Sequence, residues 1–195
     1  AVLKKPIVWA AIFAVIFLNG SIFGVFNYWA AYLTSVTELV PALVSLLLFV
    51  YGFCNILGSM AAGYLLSHRP QTTVKVFPFL LAVLYLLLLT DGSSWPMAAI
   101  LTILWGILAG INANINQFWL SHAAPAAPDF ANGLFLTSAN LGTMAATTVR
   151  GMFFDCWGME YVGCSGLLFI IAAGILFWSQ CIQRSINPLE HSVGS

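Results

Sequence analysis

Apolar residues along this chain neither alternate nor recur on one helical stripe. They run in six nearly unbroken stretches separated by short polar loops. Runs of this length and apolarity read as membrane-crossing helices, which keep every backbone hydrogen bond internal. The spacing predicts spans at about Val8–Leu33, Ala42–Leu66, Val74–Leu89, Met97–Leu120, Phe130–Phe154 and Val162–Cys181. Pro41 and Pro96 stand just before the second and fourth, where a fixed φ and a missing N–H suit a helix start. The intervening loops, Thr34–Pro41, Ser67–Thr73, Thr90–Pro96, Ser121–Asp129 and Asp155–Tyr161, are too short to hold a soluble domain. Trp9, Trp29, Trp95, Trp119, Trp157 and Trp178 fall near predicted span ends, as an interfacial aromatic belt requires.

Charge gives the spans a direction. Of the six Lys and Arg, five lie outside the stretches: Lys4, Lys5, Arg69, Lys75 and Arg184. With six crossings and a cytoplasmic N-terminus, all five face the cytoplasm, and the opposite loops carry neither Lys nor Arg. The expected location is therefore the cell inner (plasma) membrane, with both termini cytoplasmic. Composition agrees: 61% of the 195 residues are hydrophobic and 6% are charged, against about a quarter charged in soluble domains. A net charge of zero argues against a nucleic-acid partner. Ala1 stands where a Met would begin a gene product, which points to further chain upstream, and no signal-cleavage site follows the first apolar run. Cys54, Cys156, Cys164 and Cys181 form no C-x-x-C, and the three His are scattered, so neither a metal site nor a cofactor is expected. Cys156 and Cys164 flank one outer loop and are read as unpaired thiols, with a disulfide as the alternative.

Polar residues at mid-membrane depth carry the functional signal. Asn19, Asn55, Asn112 and Asn140 lie near the middle of the first, second, fourth and fifth spans; the third offers Tyr85 and the sixth almost nothing. An unsatisfied amide in hydrocarbon costs several kcal/mol, roughly. The expectation is an inner ring of spans one, two, four and five, with three and six peripheral. Asn112 and Asn116 share a helix face. Asn114 and Gln117 widen it, and Gly106 and Gly110 permit close approach. Asn27 and Tyr28 extend the polar surface of the first span, and Tyr51, Asn55 and Ser59 make a stripe on the second. Each Asn has two readings, interhelical glue or cavity lining. The candidate substrate path is Asn19, Asn27, Asn112, Asn116 and Gln117. Asn55, Gly58, Asn140, Gly142 and Arg150 are candidates for packing or cavity support. Arg150 is the one charge inside a span. It either reaches the interface, pairs with Asp155 or Glu160, or faces an anion or substrate. No Asp or Glu lies deep in a span, so the acidic proton carrier common in pumps is missing from this chain.

Asn55-Ile-Leu-Gly58-Ser59-Met60-Ala61-Ala62 in the second span is echoed by Asn140-Leu-Gly142-Thr143-Met144-Ala145-Ala146 in the fifth, with one residue of slippage. Repeats of three helices run in inverted topology, an arrangement common in transporters. The fold class expected is an all-α membrane protein of six transmembrane helices in two inverted three-helix repeats, one six-helix bundle over residues 1–195.

These residues also resemble a known family. Leu3-Lys-Lys-Pro6 leads into the first span, and Tyr51-Gly-Phe-Cys-Asn-Ile-Leu-Gly58 is followed by Gly63-Tyr-Leu-Leu-Ser-His-Arg69. Gln117, Ala124-Pro125, Asn140-Leu-Gly142, Gly151 and Asp155 come later. Over essentially its whole length the chain resembles the C-terminal half of a major facilitator superfamily transporter, most like bacterial drug and arabinose-type sugar efflux permeases. The resemblance implies half of a major facilitator fold and efflux by alternating access. It also implies that half the cavity and the proton-coupling acid belong to an N-terminal half outside this chain. Gly63 and Arg69 match part of the family's cytoplasmic-loop signature, but Ser67 replaces its acidic residue, and Arg150 stands where relatives usually show Gly.

The partners expected are the lipid bilayer, a small-molecule substrate, protons as coupling ion, and the missing half or a second copy. The competing readings are a self-contained six-helix channel, a dimeric half-transporter, and a non-transporting assembly or sensor subunit. Enzymatic action is not expected. Ser121-His122 and Asp129 share one inner loop, but no catalytic set accompanies them.

Overall fold

The computed structural model describes residues 6–125, 127–157 and 162–186. Lys4, Lys5 and Glu160 lie outside the described residues, as do the side chains of Trp157, Trp178, Cys181 and Arg184. Six helices follow one another: α1 (Pro6–Ser35), α2 (Pro41–His68), α3 (Pro70–Asp91), α4 (Trp95–Ala123), α5 (Pro128–Trp157) and α6 (Val162–Ile186). Most extend a few residues past the apolar runs, because a helix continues beyond hydrocarbon depth until a breaker stops it. Proline opens α2, α3 and α4 within the first two positions. Pro70 rather than Val74 begins α3, so Lys75 is more than a turn inside that helix. It sits exposed in the first turns of that helix.

Four helices, Val8–Ser35, Pro41–His68, Pro70–Thr90 and Trp95–Ala123, are long and apolar enough to cross a membrane. α5 has the length but a more polar composition, and the described apolar part of α6 is Cys164–Leu176. This is a multi-pass membrane fold.

α1 and α4 form its centre. About two thirds of the most apolar part of each is buried, 67% and 61%, against 22% for α2. α2 lies along α4 and α5 along α1, and these are the two longest seams in the bundle. α6 covers another side of α1, and α3 rests on α6 and α4. α1, α2, α4 and α5 touch one another in a ring, α1 with α5, α5 with α4, α4 with α2 and, most slightly, α2 with α1, and α1 also meets α4 directly. α2 and α5 each leave a face uncovered. On α2 that face is Phe49, Phe53, Ile56, Met60 and Tyr64, at helical spacing. α3 (Phe79, Val83, Leu86) and α6 (Leu168, Ile171, Ile175) expose apolar residues as well.

The core joins Leu18, Ile22, Val25 and Trp29 of α1 to Phe77, Leu81 and Tyr85 of α3, Leu101, Trp105 and Ala109 of α4, and Ile170 and Ala173 of α6. Trp29 is not part of an interfacial belt. It is fully buried, meets Trp105 edge-on at 5.0 Å and donates its indole N–H to Thr102 Oγ1 at 3.0 Å. A partner for the indole inside the protein removes the reason to sit at the headgroups. Trp9 and Trp95 are exposed, as a belt position requires. Cys156 and Cys164 carry free thiols.

Glycine sets the two long seams. A Cβ on Gly58 of α2 would collide with the Ile107 carbonyl of α4, and one on Gly110 of α4 with the Asn55 carbonyl of α2. At the other seam a Cβ on Gly142 of α5 would collide with the Ile16 carbonyl of α1. Backbones this close gain dispersion contacts that lipid chains cannot supply, which is how helices associate in a bilayer. Gly58→Val and Gly142→Val should therefore each lower the melting temperature of the purified protein in detergent by several degrees or prevent its folding. Gly174→Val, where no atom lies within 4 Å of the added Cβ, should leave it within about a degree of wild type. Equal effects at all three sites would show that close backbone approach does not hold the seams.

Candidate functional site

Polar groups gather where α1 meets α4 and α5. Asn19 is buried at this junction and its amide bridges to α5, donating to the Ala139 carbonyl at 2.9 Å and to Thr143 Oγ1 at 3.1 Å. Its Oδ1 faces α4, where Asn112 Nδ2 approaches at 3.5 Å. Asn19 thus links three helices, and it can do so because Gly20, Gly142 and Ala146 keep α1 and α5 close enough for a short side chain to span the gap.

Asn112 and Asn116 lie one turn apart on the buried face of α4, 0% and 1% exposed. Asn112 Oδ1 and Asn116 Nδ2 have no hydrogen-bond partner. One is an acceptor and the other a donor, so the pair offers both halves of a hydrogen-bonding site to a hydroxyl or amide. Buried polar atoms are normally satisfied, so two orphans one turn apart on a buried face set this junction apart from the rest of the bundle. Trp105 Nε1, also buried and unpartnered, lies two turns from Asn112 toward the N-terminal end of α4.

About two turns along α1 toward Ser35, the α1–α5 seam stays polar but opens. Asn27 is exposed and donates to Thr147 Oγ1 at 3.0 Å, and Tyr28 reaches the Thr147 carbonyl at 3.5 Å. Asn140 is also exposed, with its amide donating to Leu136 O of its own helix at 2.9 Å. Asn55 is half-buried beside the α2–α4 seam, where Ser59 Oγ reaches the Gly110 carbonyl at 3.5 Å. Gln117 is exposed on α4, and Asn114 closes on the Gly110 carbonyl of its own helix at 2.9 Å. The junction therefore brings Asn19, Asn112 and Asn116 together with Gly142, places Asn27 further along the same seam, and leaves Asn140 and Gln117 exposed and apart from it.

Arg150 neither reaches the interface nor pairs with Asp155. It is buried, its guanidinium is bonded to Ser165 of α6, and Asp155 is exposed. Gly63 has open space around it, and Arg69 joins α2 to α3, its N–H closing on Leu65 O at 2.8 Å. Ser67, in the place of the signature's acid, turns back to the Gly63 carbonyl at 2.7 Å. His122 is exposed and held at the Phe118 carbonyl of its own helix. No group of three or more metal-ligating side chains occurs among the described residues. Thr143, Thr147, Thr102 and Ser165, the hydroxyl partners of the key amides and of Arg150, escaped notice in the sequence. Their one signal was position: Thr143 and Thr147 follow Asn140 at helical spacing on the face that turns to α1.

Comparison with known proteins gives a consistent picture. The model of the Major Facilitator Superfamily matches residues 1–147. The "Transcription regulatory protein OpdE" of Pseudomonas aeruginosa is 29% identical over 179 residues, 90% of this chain and 44% of that protein. A "Probable sugar efflux transporter" of Pasteurella multocida is 26% identical over 176 residues, 89% and 43% of the two chains. An "Uncharacterized MFS-type transporter YtbD" of Bacillus subtilis is 28% identical over 171 residues, 85% and 43%. The chain spans less than half the length of each.

If Asn19 couples α1 to α5, a double-mutant cycle of Asn19→Ala with Thr143→Ala should give an interaction of about 0.6 kcal/mol, the usual size for an interhelical hydrogen bond in a membrane protein. Asn27→Ala with Thr143→Ala, which share no bond, should be additive within about 0.3 kcal/mol. Chemical unfolding in mixed micelles checks both, and additivity in the first pair would leave Asn19 without its bridging role.

Proposed function

Because the chain belongs to the major facilitator superfamily, we propose that it forms the C-terminal six-helix part of a secondary transporter that moves a small molecule across the plasma membrane by alternating access. The family goes with transport rather than catalysis. The observation that carries the reading is the Asn19–Asn112–Asn116 junction, a buried donor-and-acceptor pair without partners at the meeting of the two central helices.

Two inverted three-helix repeats account for the pairing of the helices. Exchanging α1–α2–α3 with α4–α5–α6 turns the α1–α5 seam into the α4–α2 seam, and the α1–α6 contact into α4–α3. The echoed glycines correspond in the same way, Gly58 seated on Ile107 and Gly142 on Ile16. In such folds substrate sites sit near mid-membrane between repeats. The remaining length of the relatives is room for a second bundle. It would cover the open face of α2, Phe49 to Tyr64, and supply the other wall of the path.

Neutral amides suit an uncharged substrate rich in hydroxyls, and the Pasteurella relative bears a sugar-efflux name. Efflux is the direction we propose. Protons would couple through an acid of the other bundle, and both termini of this chain would be cytoplasmic. Gln117 and Asn27 would line the inner and outer approaches, with Asn55 and Asn140 supporting them.

Asn112→Leu tests this directly. It removes an orphaned oxygen but also the 3.5 Å contact of Nδ2 with Asn19 Oδ1, so the protein should fold with a melting temperature within a few degrees of wild type. Export of a radiolabelled neutral pentose from cells should fall roughly tenfold or more, the effect of losing one hydrogen bond of about 1–3 kcal/mol in a dry site. Normal export would take α4 out of the path. Wild-type cells with no export of any neutral solute, but altered gene expression on deletion, would favour the regulatory role that the Pseudomonas relative's name suggests.

A further inference from the structure

Arg150 is a buried cation that the transport reading does not use. Its side chain is 1% exposed, on α5 seven residues before Trp157, and so about 10 Å below the outer end of that helix. Two of its three nitrogens are committed to one uncharged group. Nε donates to Ser165 Oγ of α6 at 2.8 Å, and Nη2 donates to the same oxygen. Nη1 is buried and has no partner.

Among the described residues the surroundings are polar but bear no charge. The Tyr85 hydroxyl is spent on the Ser21 carbonyl at 2.5 Å, and that of Tyr28 on Thr147 O at 3.5 Å. Gly166 lies against the Tyr85 ring and Gly151 against the Tyr28 hydroxyl, so the walls here have no side chains to spare. Among the described side chains no carboxylate pairs with Arg150. Glu38 and Asp155 are exposed, and Asp129 lies in the first turn of α5, at the opposite end.

A guanidinium is always charged, and taking it out of water costs several kcal/mol, roughly, unless a negative charge lies close. One hydroxyl does not offset that. Nη1, buried and without a partner where α5 meets α6, needs an acceptor that carries charge. We infer that Arg150, with Ser165, binds a small monovalent anion, a halide or a carboxylate, between α5 and α6. The inference does not depend on what the protein transports.

The test uses the purified protein, expressed from its full reading frame, in detergent at neutral pH and constant ionic strength. Unfolding is followed by tryptophan fluorescence while chloride or acetate replaces gluconate, a much larger anion. The wild-type melting temperature should rise saturably with chloride, acetate or both. A response to chloride alone identifies a halide site, and a response to acetate identifies a carboxylate site. Arg150→Gln should abolish the response. Arg150→Lys, a point charge without the fork, should need higher anion concentrations for the same rise. A wild type with one melting temperature in all three salts overturns the inference, whether or not any variant folds. So does an undiminished response in Arg150→Gln. Finally, if Glu160→Gln or Asp91→Asn destabilises the protein as much as Arg150→Gln does and the wild type ignores the anion, the counter-charge belongs to the chain itself.

Discussion

Everything in this bundle depends on how closely two pairs of helix backbones approach. At Gly58 and Gly110 for α2 on α4, and at Gly142 for α5 on α1, there is no room for a side chain. In lipid there is no hydrophobic gain in bringing one apolar helix to another, so the gain must come from contact itself. Close backbones let short side chains reach across. Asn19 touches α5 through Ala139 O and Thr143, and α4 through Asn112, only because the helices are already near. The polar junction is thus a consequence of the glycines, and the central position of α1 follows from its being held on two sides.

The two long seams use the same geometry for different chemistry. The α2–α4 seam is almost dry: beyond the glycines it carries the 3.5 Å contact of Ser59 with Gly110 O. The α1–α5 seam has a ladder of amides and hydroxyls, Asn19 with Thr143 and Asn27 with Thr147, that runs from a buried end to an exposed one. Apolar contact tolerates no relative movement without loss of fit, whereas hydrogen bonds between side chains can exchange for water as a seam opens. A bundle that had to move one flank while keeping the other would be built with this asymmetry.

The six helices, four of them long and apolar enough to cross a membrane, were legible because a helix in lipid must be apolar over its whole length. The places of Asn19, Asn55, Asn112 and Asn140 near the middles of their helices were legible too, since position along a helix is simply distance along the chain. Direction around the helix was not. Asn112 and Asn140 look equivalent in sequence, yet one is sealed and the other exposed, because rotation is set by which neighbour a glycine face finds. For the same reason the uncovered face of α2 could not be told from a lipid-facing one: Phe49, Phe53 and Ile56 would serve either. Trp29 was misread as an interface residue because its distance from a span end matched a belt, while its partner Thr102 is 73 residues away.

Arg150 shows the limit most clearly. A charge one or two turns from a span end has two inexpensive outcomes, reaching water along the surface or pairing with a nearby acid, and both need the side chain to point outward. Here α6 lies over that direction and presents Ser165. The guanidinium is turned inward by packing between helices, a relation that no local pattern along α5 encodes. The same burial removes the cheap solutions and leaves the charge to be met from within the bundle. What decides the behaviour of this residue is therefore the chemistry of the space between α5 and α6 rather than its position in a span.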